Sequence, residues 1–129
     1  VKAKDFYSED DDGLSKAWYG NVFINPPYQQ PQMGQFADKL IAELKNIKSA
    51  IMLVNNNTDT AWFHKLASEA AAFCFTKGRI HFYTVDNPAT QPTNGQVYFY
   101  FGDSVELFTE VFCIQGMVVK TLSNYREEQ

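Results

Sequence analysis

The apolar run Val22-Phe23-Ile24 leads without a spacer into Asn25-Pro26-Pro27-Tyr28, and this arrangement can do chemistry on an amine. The two prolines fix the backbone and remove two N–H donors, which leaves a stiff turn whose carbonyls stand as acceptors beside the Asn25 side-chain oxygen. Two adjacent acceptors match an amino group. A nucleobase amine has two N–H donors and a lone pair delocalised into its ring, so accepting both hydrogens draws the nitrogen toward sp3 character and makes it a better nucleophile. Tyr28 can stack on the base, and such stacking is worth roughly 1 to 3 kcal/mol against the few kcal/mol needed to unstack it from DNA. The turn therefore suits methylation of a flipped base. Its bland reading is a proline turn after a buried strand, with Tyr28 as core filler.

Other residues carry weaker signals. Asp11 and Asp12 lie in a loop before the turn and can bind the amino or ribose groups of a cofactor, although an acidic loop is also simply solvated. Lys77 and Arg79 flank Gly78 in a basic turn that suits phosphate or base contact and equally suits solvent. His64 follows two aromatics on an expected helix and reads as a surface or capping histidine rather than a base; His81 is similarly isolated. Trp18 and Trp62 read as core before ligand-stacking residues. No Cys or His pair has metal-ligand spacing, and Cys74 and Cys113 each sit in an apolar stretch, as buried free thiols of a reducing compartment would.

The elements that must position these residues alternate. Residues 1–19 have loop composition, and a strand over Val22–Ile24 stops at the prolines. Phe36, Leu40, Ile41, Leu44 and Ile47 form the stripe of an amphipathic helix over 35–47, and Ala50–Val54 is a continuous apolar run short enough for a buried parallel strand. Thr58 and Asp59 are good cap types before a second helix over 59–70. Phe73–Thr76, Ile80–Tyr83 and Gln96–Phe101 read as β segments, with a loop from Asp86 to Gly95. Ser104 caps a short helix over Val105–Phe112, and Met117–Leu122 reads as a final strand. Strands alternating with helices predict an α/β domain with a mostly parallel sheet, finishing in more antiparallel structure. In such sheets the ligand lies beyond the carboxyl ends of the strands, where Asn25 sits.

Length and composition set the bounds. At 129 residues, with 45% hydrophobic and 16% aromatic residues, the chain suits one domain and excludes general disorder. No apolar run is long enough to span a bilayer and no secretion signal opens the sequence, so the expectation is a soluble intracellular protein. A formal charge of −4 argues against tight nonspecific nucleic-acid binding. Charge is uneven, however: Lys39 to His81 holds six basic and three acidic residues, which is either an ordinary solvated surface or a modest phosphate-facing patch.

The turn, with Phe6-Tyr7, Asp11-Asp12-Gly13-Leu14, Trp18 and Gly20 before it, resembles the phage-type DNA N6-adenine methyltransferase family, the small Dam-related enzymes of phages and prophages. Leu53-Val54, Thr58-Asp59-Thr60 with Trp62-Phe63-His64, Lys77-Gly78-Arg79-Ile80-His81-Phe82 and the stretch from Pro92 to Gly102 resemble later family blocks in order, so the likeness covers residues 2–102. It implies a Rossmann-like methyltransferase fold, S-adenosylmethionine as methyl donor and a DNA adenine as target, in the cytoplasm of a bacterial host. Asn25 and the Pro26 carbonyl would accept from the target amine, with Pro27 stiffening the turn and Tyr28 stacking on the base. Asp11, Asp12 and Asn25 would meet the cofactor, and Lys77, Arg79, Thr58 and Trp62 would meet DNA. Because the methyl donor is a sulfonium, in-line transfer needs alignment and amine polarisation more than an acid or base.

The sequence departs from the family in two places. A member is expected to carry, before residue 1, an acidic and small-residue segment that holds the cofactor, and no GxG loop occurs in residues 1–129. Residues 1–129 thus read as a single partial methyltransferase domain. The alternatives are a shortened, non-catalytic homologue that binds nucleic acid or protein, or an enzyme acting on an RNA base or a protein glutamine. A sheet face left bare by the absent segment can drive homodimerisation. Secondly, Asn55-Asn56-Asn57 stands where an apolar segment ending in a basic residue is expected, which weakens a phosphate contact there.

Overall fold

The computed structural model describes residue 14 and residues 16–27, 31–78 and 95–122. Five strands and three helices follow in the order β1 (Gly20–Ile24), α1 (Gln32–Glu43), β2 (Ile47–Asn55), α2 (Ala61–Glu69), β3 (Ala72–Thr76), β4 (Gln96–Phe101), α3 (Val105–Phe112) and β5 (Gly116–Lys120). The first helix is displaced toward the N-terminus from its expected span. It ends at Glu43, a 3-10 turn covers Leu44–Asn46, and Ile47 already belongs to β2. The helical stripe and the strand share their boundary residues, so periodicity alone does not divide them.

Strand order across the sheet is β1-β2-β4-β3-β5. Only β1 and β2 pair in parallel; the β2–β4, β3–β4 and β3–β5 ladders are antiparallel. The sheet is therefore mixed and mostly antiparallel, which corrects the expectation of a mostly parallel one. Both expected crossovers are present, but the one through α2 leaves a strand's width between β2 and β3, and β4 fills it from the opposite direction. All six β4 residues are buried, so β4 reads as an apolar run whichever way it points. Burial identifies a central strand and says nothing of its direction.

Alternation along the strands divides the core between the two faces. On one face Ala50, Met52 and Val54 of β2 and Val97, Phe99 and Phe101 of β4 pack with Met33, Ala37 and Leu40 of α1 and Trp62, Phe63 and Leu66 of α2. On the other, Leu53, Ala72, Cys74, Tyr98 and Tyr100 pack with Phe108 of α3. Phe99 has no exposed surface and sits edge-on between Phe63 and Phe73, with ring centroids 5.0 and 5.1 Å away. Both tryptophans are buried, and Lys39 lies over the Trp18 ring at 5.5 Å. Lys39, then Asn46, also hold the Glu43 carboxyl below its ordinary range through hydrogen bonds.

Two local readings change. Ser104 caps α3 through its backbone and not its hydroxyl: its carbonyl accepts from Phe108 N–H, while its own N–H donates to the Tyr100 hydroxyl. Cys74 is buried, with its thiol pushed up by desolvation, whereas Cys113 is exposed because it follows the last turn of α3. Among the described residues no helix is long and apolar enough to cross a membrane, and no cluster of three metal-ligating side chains occurs. Replacing Phe99 with Ala removes the ring that Phe63 of α2 and Phe73 of β3 meet, and urea unfolding is expected to show a loss of about 3 to 5 kcal/mol.

Candidate functional site

The site is built by strand direction. β1 and β2 are parallel, and β3 points the same way because each of β2 and β3 is antiparallel to β4. The carboxyl ends of three strands therefore reach one edge. Along it lie Asn25-Pro26-Pro27 after β1, Asn55 at the end of β2 with residues 56–58 after it, Gly95 before β4 and Lys77-Gly78 after β3. Three interstrand steps separate the β1 end from the β3 end, or about 14 Å.

Within the proline turn, Asn25 and Pro27 are exposed and Pro26 is buried. The buried ring anchors the turn while Asn25 stands at the surface. Phe23 precedes Asn25 by two residues and is 44% exposed, on the face opposite α1 and α2, since Val22 and Ile24 pack toward those helices. Next to it, Ser49 Oγ donates to Asn21 Oδ1 at 2.6 Å. The β1–β2 strip of this face is thus a mixed polar and aromatic surface leading to Asn25. Tyr28, Asp11, Asp12, Arg79 and His81 lie outside the described residues.

The loop after β2 is held by its own hydrogen bonds. Asn56 N–H donates to Gly95 O at 3.1 Å, and a Cβ at residue 95 would come within 2.9 Å of Asn56 Nδ2, so Gly95 permits this close approach. Thr60 N–H and Oγ1 both donate to Asn57 O, at 3.1 and 2.8 Å. The N-cap of α2 is Thr60, not Thr58 or Asp59: Phe63 N–H donates to Thr60 Oγ1 at 3.4 Å. His64 is exposed and its Nε2 lies 2.7 Å from Thr58 O, which fits a capping histidine that steadies the exposed Thr58 turn. This use of His64 and Thr60 depends on tertiary positions that sequence spacing does not supply.

Trp62 is 8% exposed and its ring is used for packing, although it also borders an open cleft of about 360 Å³ between α1 and α2. Lys65 in that cleft pairs with Asp38 at 2.8 Å, and Lys39 pairs with Glu43 at 2.7 Å. The basic excess of the middle segment is consequently not one patch. Lys45 and Lys48 lie at the opposite edge of the sheet, and exposed Lys77 is the cation at the carboxyl edge among the described residues. Lys77 N–H donates to Gln115 O, and Thr76 Oγ1 donates to Gln96 O, which fix the end of β3.

A family model described as DNA N-6-adenine-methyltransferase (Dam) matches residues 1–124. Comparisons with curated proteins and with solved structures give no match. The cap of α2 is open to direct measurement: Thr60→Ala removes the two hydroxyl hydrogen bonds, to Asn57 O and from Phe63 N–H, and is expected to lower stability by about 1 kcal/mol in chemical denaturation.

Proposed function

The chain belongs to the DNA N-6-adenine-methyltransferase (Dam) family, and from this premise we propose that it methylates the exocyclic amine of a flipped adenine in DNA at the Asn25-Pro26-Pro27-Tyr28 turn. The observation that carries the reading is the placement of the turn: Asn25 is exposed at the carboxyl end of β1, immediately before buried Pro26. This is where an open α/β sheet receives its ligand.

In this reading Asn25 Oδ1 and the Pro26 carbonyl each accept one N–H of the target amine. The nitrogen lone pair is then less committed to the ring and is held in a fixed direction, so orientation and amine polarisation provide the catalysis. Pro27 stiffens the turn and Tyr28 stacks on the base. The proton leaves to water after transfer, and no side chain need titrate. Lys77 and Arg79 offer charge to phosphates, and Thr58 a hydroxyl. Lys77, about 14 Å along the edge, reaches phosphates about four base steps from the flipped nucleotide. Trp62 packs in the core on the helical face of the sheet.

S-adenosylmethionine supplies the electrophilic methyl group on a cationic sulfur. Its demands are met in part at this edge: Asn25 and the turn carbonyls are oxygen acceptors that suit a cation, and half-exposed Phe23 beside them offers apolar contact. Asp11 and Asp12 are assigned to its amino or ribose groups.

Asn25→Ala tests the proposal with radiolabelled methyl donor and adenine-containing duplex DNA. Methyl transfer is expected to fall by about a hundredfold or more while stability changes by no more than about 1 kcal/mol. Turnover equal to wild type would overturn the assignment of the turn, and label found only in RNA or protein would overturn the substrate.

A further inference from the structure

Asn55-Asn56-Asn57 departs from the apolar and basic composition expected at this place, and the structure gives the three asparagines different tasks. Asn56 is engaged with Gly95, and the Asn57 carbonyl takes both Thr60 donors. Asn55 does neither. It is the last residue of β2 and pairs with Gln96 of β4. Among the described residues no group hydrogen-bonds to its half-buried side-chain amide.

Register sets Asn55 near the proline turn. Ile24 pairs with Met52, which sets position 25 against Leu53, and Asn55 lies two residues farther out on the same face of β2. Leu53 belongs to the face carrying α3, the face toward which Phe23 points, so Asn25, Phe23 and Asn55 share it. Two residues along one strand and one step across give a Cα separation of about 8 Å between positions 25 and 55. That is a span two short amide side chains can bridge through one base.

The amine of adenine never stands alone: ring nitrogens N1 and N7 flank it, and both are acceptors. A site that only accepts from the amine leaves these unread, whereas a donor on the neighbouring strand reads amine and ring nitrogen together. Amides are the side chains that match adenine in this way, and enzymes acting on flipped bases read the exposed base edge through hydrogen bonds. We infer that Asn55 determines specificity at the proposed methylation site by donating from Nδ2 to a ring nitrogen of the adenine whose amine Asn25 holds. The inference rests on the reading of Asn25-Pro26-Pro27-Tyr28 as the methylating turn. Guanine presents a carbonyl oxygen in place of the amine, which opposes Asn25, and a ring N–H in place of N1, which opposes Asn55 where N1 is the nitrogen it reads.

The test combines enzyme variants with substrate analogues in a cycle. Wild type and Asn55→Asp are compared on duplexes carrying adenine, 1-deazaadenine or 7-deazaadenine at the target. Aspartate keeps the size of asparagine and removes the donor, and thermal unfolding checks that the variant folds; Asn55→Ala, which has no donor, serves if it does not. Wild type is expected to lose about tenfold in kcat/KM on the analogue lacking the nitrogen that Asn55 reads. The variant is expected to be about tenfold slower on adenine and indifferent to that replacement. Wild-type indifference to both analogues, or a variant that keeps the full wild-type discrimination, would overturn the role of Asn55. Absence of any wild-type methylation of adenine DNA would instead overturn the underlying reading of the turn.

Discussion

The insertion of β4 antiparallel between β2 and β3 is the constraint on which the rest of the molecule depends. It supplies hydrogen-bond partners to both neighbours and forces them to point the same way. Because β1 is parallel to β2, three carboxyl ends then share one edge. Phe99 locks this arrangement from the helical face, where Phe63 of α2 and Phe73 of β3 meet it edge-on. On the opposite face Tyr100 stacks on Phe108 and Tyr98 packs on Phe112, so the same strand also seats α3. A strand buried on both faces thus organises a site to which it contributes little chemistry.

The energetic division at that edge is clear. Apolar packing fixes the strands, backbone hydrogen bonds fix the loop after β2, and Asn25 and Lys77 stand exposed at the edge. Pro26 is the link between these tasks, since its buried ring joins the exposed Asn25 to the core. Charge plays a smaller part than the composition suggests. Lys39 and Lys65 are committed to Glu43 and Asp38, and the exposed Lys65–Asp38 pair contributes little to stability. Lys77 is the cation at the carboxyl edge among the described residues, and under the proposed function it would meet phosphate locally, in keeping with a net charge of −4.

Much of this was legible in the residues. The proline pair marks the end of β1, the apolar run marks β2, and the bounds of β4 and α3 match their expected spans. Sheet direction was not legible, because β4 is apolar throughout and its pattern is the same in either orientation. The cap of α2 is not fixed by residue type: Thr58, Asp59 and Thr60 are all competent, and the geometry of the Asn57 carbonyl selects Thr60. The apolar neighbours of Cys113, Phe112 and Ile114, suggest burial and do not reveal that the helix ends there, which leaves Cys113 exposed. The edge shared by Asn25, Asn55 and Lys77 depends on strand order, which residues distant in sequence settle together.

Product analysis tests the central claim most directly: duplex DNA is incubated with the chain and S-adenosylmethionine, digested to nucleosides and resolved by mass spectrometry. N6-methyl-2′-deoxyadenosine is the expected methylated nucleoside, formed in proportion to enzyme and time. Unmodified adenine throughout, or methyl groups on another base alone, would contradict it.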